Sequence, residues 1–293
     1  MNNRVVVIGG VNMDIGGSPA ADLVLRDSNP GVLTMRAGGV GRNIAHDLRL
    51  LGADVSLIAA IGGDVYGTGI MESCAAIGLD MSMARIMPER RSSTYLYIND
   101  GSGDMYVAIA DMDICREINP EYLAPLMGRV NSAAAVVLDS NLEAETLEYI
   151  AQNCTAPMYA DPVSTVKSMR LRGIIDRLTV IKPNAIEAEK LTGESDPELA
   201  AKALVNMGVQ RVFVSMGSRG MIAADKDSLL RLPATPAKVI NTTGAGDAAM
   251  SAIVRAGMLG LDLEGAARAA LRAGALTTEC PEANSPRLSE IFA

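Results

Sequence analysis

The string Asn241-Thr-Thr-Gly-Ala-Gly-Asp247 runs straight into Ala248-Ala-Met-Ser-Ala-Ile-Val254, which has the composition of a helix. Gly244-Ala-Gly246 permits a tight turn at the helix start. Such a turn aims several backbone N–H groups at one point, where the helix dipole adds partial positive charge. The result is an anion hole suited to a phosphoryl group. Asp247 falls in the first turn beside it, where a carboxylate can take the proton of an attacking hydroxyl. A lone Gly-Ala-Gly-Asp reads equally well as an acidic helix N-terminus. The seven-residue string is more specific.

Outward from this string, short apolar runs at 5–8, 55–61, 133–138, 158–160, 179–181 and 211–215 predict buried strands. Helical spacing marks 41–51, 67–77, 143–152, 184–191 and 197–207, and the Ala-rich 244–259 and 263–278 close the chain. Strand–helix alternation predicts an α/β fold with a mostly parallel central sheet flanked by helices. Two regions break it. Segment 16–35 reads as irregular, and 92–98 with 104–110 flank the hairpin signal Asn99-Asp-Gly-Ser-Gly103. Together they predict a small β-sheet that serves as a lid over a site or pairs with a second copy. The expected division is 1–10, 36–90 and 111–293 for the main domain, and 11–35 with 91–110 for the lid.

Composition narrows the function. The formal charge of −8 repels phosphate backbones, so no nucleic-acid partner is expected. No run approaches a membrane span, and the apolar start at 5–8 is too short for a signal peptide, so a cytoplasmic protein without a membrane partner is expected. The four cysteines form no CxxC pair, which argues against zinc and for free thiols. The single histidine, His46, lies in a helical pattern with apolar neighbours and reads as structural. Acid–base chemistry therefore falls to carboxylates or lysine.

Two further stretches carry chemistry. Ala37-Gly-Gly-Val-Gly-Arg-Asn43 opens a helix. It lacks the third glycine of GxGxxG, which excludes a dinucleotide oxidoreductase reading. Its glycines let a ligand approach the backbone, and Asn43 offers a donor and an acceptor to hydroxyls, although such a helix entrance can be purely structural. In Lys182-Pro-Asn-Ala-Ile-Glu187, Asn184 and Glu187 share a face of a helix start. They suit a water-coordinated Mg2+ and nucleotide phosphates, or simply a capping pattern. None of the six lysines follows a glycine, so there is no Walker A loop.

Over essentially the whole chain, these three stretches resemble the ribokinase-like (PfkB) family of carbohydrate and nucleoside kinases. The resemblance implies a ribokinase-like fold, ATP and Mg2+ as cofactors, and a small-molecule nucleoside or sugar substrate. It implies Asp247 as base and Gly244, Ala245 and Gly246 as anion hole, with Asn184 and Glu187 serving Mg2+ and phosphates. Ser215-Met-Gly-Ser-Arg-Gly220 is similar to the family's nucleotide-side turn, which puts Ser215, Gly217 and Gly220 at ATP. Gly10-Val-Asn-Met-Asp14 is similar to its sugar-binding strand end, which implies hydroxyl contacts from Asn12, Asp14, Gly39 and Asn43. Where many relatives carry Asp, this chain has Asn241. The residue keeps an oxygen ligand for a monovalent cation such as K+, beside Thr243, but loses the charge.

Within the family, 12–17, 108–114 and Asp161-Pro-Val-Ser-Thr-Val-Lys-Ser168 resemble the subgroup that phosphorylates pseudouridine. Lys167 then reaches the substrate or phosphate region, or is a surface lysine. Asp139, at a predicted strand end, is a sugar contact or a turn residue. Tyr95, Tyr97, Tyr106, Met13 and Met105 either cover the base or pack the small sheet. The expected reaction is ATP-dependent phosphorylation of the 5′-hydroxyl of pseudouridine. Another nucleoside or ribose as substrate, and a catalytically silent nucleoside-binding relative, are the alternatives. A homodimer through the lid is expected.

Overall fold

A computed structural model describes residues 2–102 and 104–293. Gly103, in the expected hairpin turn, and Met1 lie outside the described residues. The chain runs through β1 (Arg4–Ile8), β2 (Asn12–Pro19), β3 (Gly31–Gly38), α1 (Val40–Leu50), β4 (Asp54–Ile58), β5 (Ala60–Gly62) and α2 (Val65–Ala76). There follow β6 (Arg85–Met87), β7 (Thr94–Asn99), β8 (Met105–Asp111), α3 (Pro120–Leu123), α4 (Met127–Asn131), β9 (Ala135–Asp139), α5 (Ala144–Asn153) and β10 (Met158–Asp161). A 3-10 helix at Lys167–Arg177 leads to β11 (Val180–Ile181), α6 (Ala185–Thr192), α7 (Pro197–Asn206), β12 (Arg211–Ser215), β13 (Met221–Asp225) and β14 (Leu229–Leu232). Helices α8 (Ala245–Met258) and α9 (Leu263–Thr278) end the fold.

The main sheet has the order β14-β13-β12-β11-β10-β9-β1-β4 and is parallel except at β13 and β14. Period-2 alternation divides its side chains between two cores. Val6, Ile8, Val136, Leu138, Val212 and Val214 face one layer of helices, where Leu147, Ala188 and Leu204 pack. Val5, Val7, Val55, Leu57, Val137 and Phe213 face the other, with Ile44, Leu48, Ile70, Met250 and Ala267. This is the expected α/β fold.

The small sheet is also present, in the order β3-β2-β7-β8, with β2 and β7 parallel and the outer pairs antiparallel. Segment 16–35, expected to be irregular, contributes the end of β2 and most of β3. Its strand character is masked because Gly16 stands where alternation calls for a side chain. The Tyr97 hydroxyl lies 2.5 Å from where a Cβ on Gly16 would sit. The run 55–61 is likewise not one strand: it breaks after Ile58, and β5 leaves the main sheet to pair with β6. A continuous apolar run reads the same whichever sheet receives it. Strands β13 and β14 were not legible, since Ala-rich Met221–Asp225 lacks β-branched residues apart from Ile222. Among the described residues, no helix is long and apolar enough to cross a membrane.

Candidate active site

Helix α8 begins at Gly244, which caps it in the left-handed region at φ 82°. The Ala283 carbonyl oxygen lies 2.0 Å from where a Cβ on Gly244 would sit, so only glycine fits. The first-turn N–H groups of Ala245, Gly246 and Asp247 lack i−4 acceptors within the helix. Asp247, half-buried, accepts a 2.9 Å hydrogen bond at Oδ2 from the Asn43 side-chain amide. Asn43 stands in the first turn of α1, whose cap, Gly39, has φ 97° and offers no side chain.

Behind this pair lies a buried ion pair that the sequence did not reveal. Lys182 Nζ is 3.1 Å from Asp161 Oδ2, and the Lys182 ammonium also approaches the Gly246 turn. Burial works against the Lys182 ammonium, yet the Asp161 and Glu187 carboxylates hold its pKa above the ordinary lysine value. Burial and the Asp161 charge push the Asp247 carboxyl up to about 7, against the lowering effects of Asn43 and Lys182. A carboxylate poised there is matched to proton abstraction near neutral pH.

A polar cavity of about 950 Å3 opens between the small sheet and the main domain. Of the residues singled out from sequence, Asp14, Asn43, Asn241 and Thr243 line it, as do Tyr95, Tyr97 and Met105. Tyr106 is exposed and Met13 buried, and neither lines it. Asp14 accepts from Asn12 Nδ2 at 2.5 Å, and burial raises its pKa while Asn12 and Arg42 oppose the rise. Gly39 packs against Asn12 Oδ1. Asn241 accepts from the Thr243 N–H at 3.0 Å and donates to the Pro281 carbonyl at 3.0 Å.

Other candidates lie outside this cavity. Asp139 is buried at the end of β9, accepting from the Gly10 and Asn141 N–H groups at 2.8 and 2.9 Å. Its burial pushes its pKa to about 6. Lys167 Nζ donates to Asn141 Oδ1 at 2.6 Å. Asn184 and Glu187 form a reciprocal capping box on α6, with bonds of 2.8 and 2.9 Å. Ser215, at the end of β12, donates its N–H to the Pro183 carbonyl at 2.9 Å and bridges to Asn184. Gly217 and Gly220 form the turn that follows, both at positive φ. Asn184, Glu187 and Ser215 are thus neighbours at the start of α6, while Asp14, Asn43, Asn241 and Thr243 share the cavity.

The sequence also missed part of the cavity wall. Arg42, His46, Ser73 and Asn284 all line it. Burial and the neighbouring Arg42 guanidinium push His46 down to about 4, so its ring is neutral at pH 7. No single motif joins these four residues, which come from α1, α2 and the C-terminal segment.

The donor set fits Mg2+ in one way only. Among the described residues, no group of three or more His, Cys, Asp or Glu side chains could hold a metal. Mg2+ commonly binds through one or two carboxylates plus waters and substrate phosphates, and buried Glu187 supplies one such carboxylate.

Comparison with known proteins agrees with this architecture. The profile of pfkB family carbohydrate kinases matches residues 2–290. The pseudouridine kinase of Escherichia coli strain K12 is 36% identical, over 97% of this chain and 93% of its own length. A carbohydrate kinase from Agrobacterium tumefaciens superposes with a TM-score of 0.87 at 27% identity, over 98% of this chain and 96% of its own. The Arabidopsis thaliana ribokinase complexed with ribose and ATP shares the fold, with a TM-score of 0.86 at 21% identity, over 100% of this chain and 99% of its own. The chain belongs to the pfkB family of carbohydrate kinases, phosphotransferases that act on an alcohol group.

Proposed function

We propose that the chain transfers the γ-phosphoryl group of ATP to the 5′-hydroxyl of pseudouridine, with Asp247 as general base. The observation that carries this reading is the Asp247 carboxylate in the first turn of a glycine-capped helix, held by Asn43 beside a polar cavity. Asp14 and Asn12 bind ribose hydroxyls, with Gly39 and Asn43 alongside, while Lys167 and Asp139 order the strand ends behind. Tyr95 and Tyr97 form the cover for the base; their ring centroids are 6.0 Å apart. The E. coli relative's name supports pseudouridine over other nucleosides.

As an attacking hydroxyl loses its proton, Asp247 accepts it. The N–H groups of Gly244, Ala245 and Gly246 face the developing phosphoryl charge in a site that needs no reorganisation. Glu187 and Asn184 would hold hydrated Mg2+, which supplies charge neutralisation on the phosphates when bound. Ser215, Gly217 and Gly220 shape the nucleotide side. A monovalent cation such as K+ would be held by Asn241, Thr243 and neighbouring carbonyls.

Segments 11–35 and 91–110 act as a lid on the main domain formed by 1–10, 36–90 and 111–293, excluding water on closure. The lid's outer face pairs with a second copy. Its cross-strand rows place Met35, Leu96 and Ile109 on one rung and Leu33 and Val107 on the next. Leu33, Met35 and Ile109 are 75, 64 and 65% exposed, an apolar surface that suits a homodimer.

A coupled ADP-release assay with Mg2+-ATP tests the substrate across pseudouridine, uridine, cytidine, adenosine, ribose and fructose. Strong turnover of pseudouridine with little of uridine is expected. Preference for ribose or another nucleoside would overturn the substrate and keep Asp247. ATP and ligand binding without turnover of any of them would point to a silent nucleoside-binding protein.

A further inference from the structure

We infer that Asn284 is a positioning residue for the proposed general base: from the C-terminal segment it grips helix α1 so that Asn43 stays on Asp247. The inference rests on the reading of Asp247 as base.

Helix α1 enters the site without a cap of its own, because Gly39 has no side chain to bond its first-turn N–H groups. Asn284 braces it from outside. Its Nδ2 donates to the Asn43 carbonyl at 3.2 Å and to Asp47 Oδ1 at 2.8 Å. Its Oδ1 accepts from Arg42 Nη1 at 2.9 Å. One amide thus uses both donors and its acceptor on three residues of the same helix. Arg42 extends the brace to α2 through Ser73 Oγ at 2.9 Å.

The segment that carries Asn284 is itself seated on the start of α8. The Pro281 carbonyl accepts from Asn241 Nδ2, and the Ala283 carbonyl packs on the Gly244 turn. The segment is therefore a strut between the two helix starts whose side chains, Asn43 and Asp247, must meet. Arg42, Asn43 and Asp47 are each more than nine-tenths buried. In that setting a hydrogen bond is short of competing water, and loss of one partner is felt by the others. The Asn43 amide therefore depends on a fixed Asn43 backbone, which Asn284 provides.

The groups that set the charge around Asp247 are the Asp161, Asp139 and Asp47 carboxyls, the Lys182 ammonium and the Asn43 amide. Of these, Asn284 directly touches the Asn43 carbonyl and Asp47, and it also bonds the Arg42 guanidinium and the His46 ring, whose pKa that bond raises. The Asn43 hydrogen bond lowers the Asp247 pKa. Release of Asn43 therefore raises it, and the acid limb of kcat/KM moves to higher pH.

The experiment is the pH profile of ADP release for wild type and Asn284→Ala, with whichever acceptor the substrate panel finds active. A limb displaced upward by about half to one unit is expected, with a loss of about three- to eightfold at pH 6.5 that narrows above pH 8. KM for ATP stays within about twofold, because the nucleotide side is untouched. A deficit constant across pH, or no deficit, overturns the inference, since general loosening of the fold gives no pH signature. If Asn284→Ala does not fold, Asn284→Leu carries the test. It keeps the volume and adds no charge but has no donor for Asn43 or Asp47, and the same upward displacement is expected. A wild-type limb that is present but does not move in the variant overturns the role of Asn284 alone. Retained turnover in Asp247→Asn overturns the base itself, and this inference with it.

Discussion

The side-chain amide of Asn43 donates to Asp247 Oδ2 across 2.9 Å, although the two residues are 204 positions apart in the chain. The bond ties the first turn of α1 to the first turn of α8. It joins the two glycine-rich strings of the sequence into one site, with a donor that steadies the charged form of the carboxylate.

Asp247→Asn keeps the volume and the helix start but removes the proton acceptor. Turnover should fall by about two to four orders of magnitude, the range of general base catalysis. ATP affinity should change little, because the proposed nucleotide side lies with the Ser215 turn. ADP-release kinetics and nucleotide titration check the two halves, and near-normal turnover would remove Asp247 from the mechanism.

The Asp247 pKa of about 7 makes activity and stability respond to pH in opposite directions. With Asp247 as the proposed base its ionised form is the active one, so kcat/KM should rise with pH through about 7. The folded-state pKa is raised above the ordinary value of 3.8, so the folded chain holds the proton more tightly between those values. This contribution to stability is complete below about pH 4 and is lost as pH rises through about 7. Asp247→Asn has no such group. Its Tm relative to wild type should increase from pH 4 to pH 8, and a flat difference in calorimetry would contradict the burial argument.

Gly244→Ala should damage the proposed anion hole more than the fold around it. A non-glycine residue at φ 82° costs about 1–3 kcal/mol, and its Cβ would press on the Ala283 carbonyl. The C-terminal strut has to shift, so turnover should fall at least tenfold while circular dichroism at 25 °C is unchanged. Unaltered kinetics would show that the turn tolerates displacement.

Ile109→Asp places a charge in the middle of the lid's apolar outer face, on the rung shared with Leu96 and Met35. If that face joins two copies, the substitution should shift the sedimentation coefficient from dimer to monomer. A wild-type chain that sediments as a monomer at micromolar concentration would discard the dimer.

Much of this was written locally. The Asn241–Asp247 string announces a glycine-turned helix start with a carboxylate in its first turn, because turn chemistry and helix dipoles act over a few residues. The alternation of apolar runs with helical spacing predicts the parallel sheet, since burial on both faces leaves a continuous apolar signature, as at Val5–Val7 and Val136–Leu138. Local signals did less well where a residue answers to a distant neighbour. Gly16 is glycine because Tyr97 leans over it, and the break at Ala59 follows from pairing with Arg85–Met87.

The amino-acid sequence by itself determined the layered α/β fold, the helix start at Gly244 and the residue types available for acid–base chemistry. Tertiary structure alone decided what those residues are worth. It placed Asn43 against Asp247, set Lys182 against Asp161 behind them, and brought Asn284 across to Arg42 and Asp47. The physical reason is range. Capping, turns and periodicity are settled within a few bonds, whereas burial and the field of neighbouring charges, which push the Asp247 carboxyl up to about 7, exist only once remote segments have packed together.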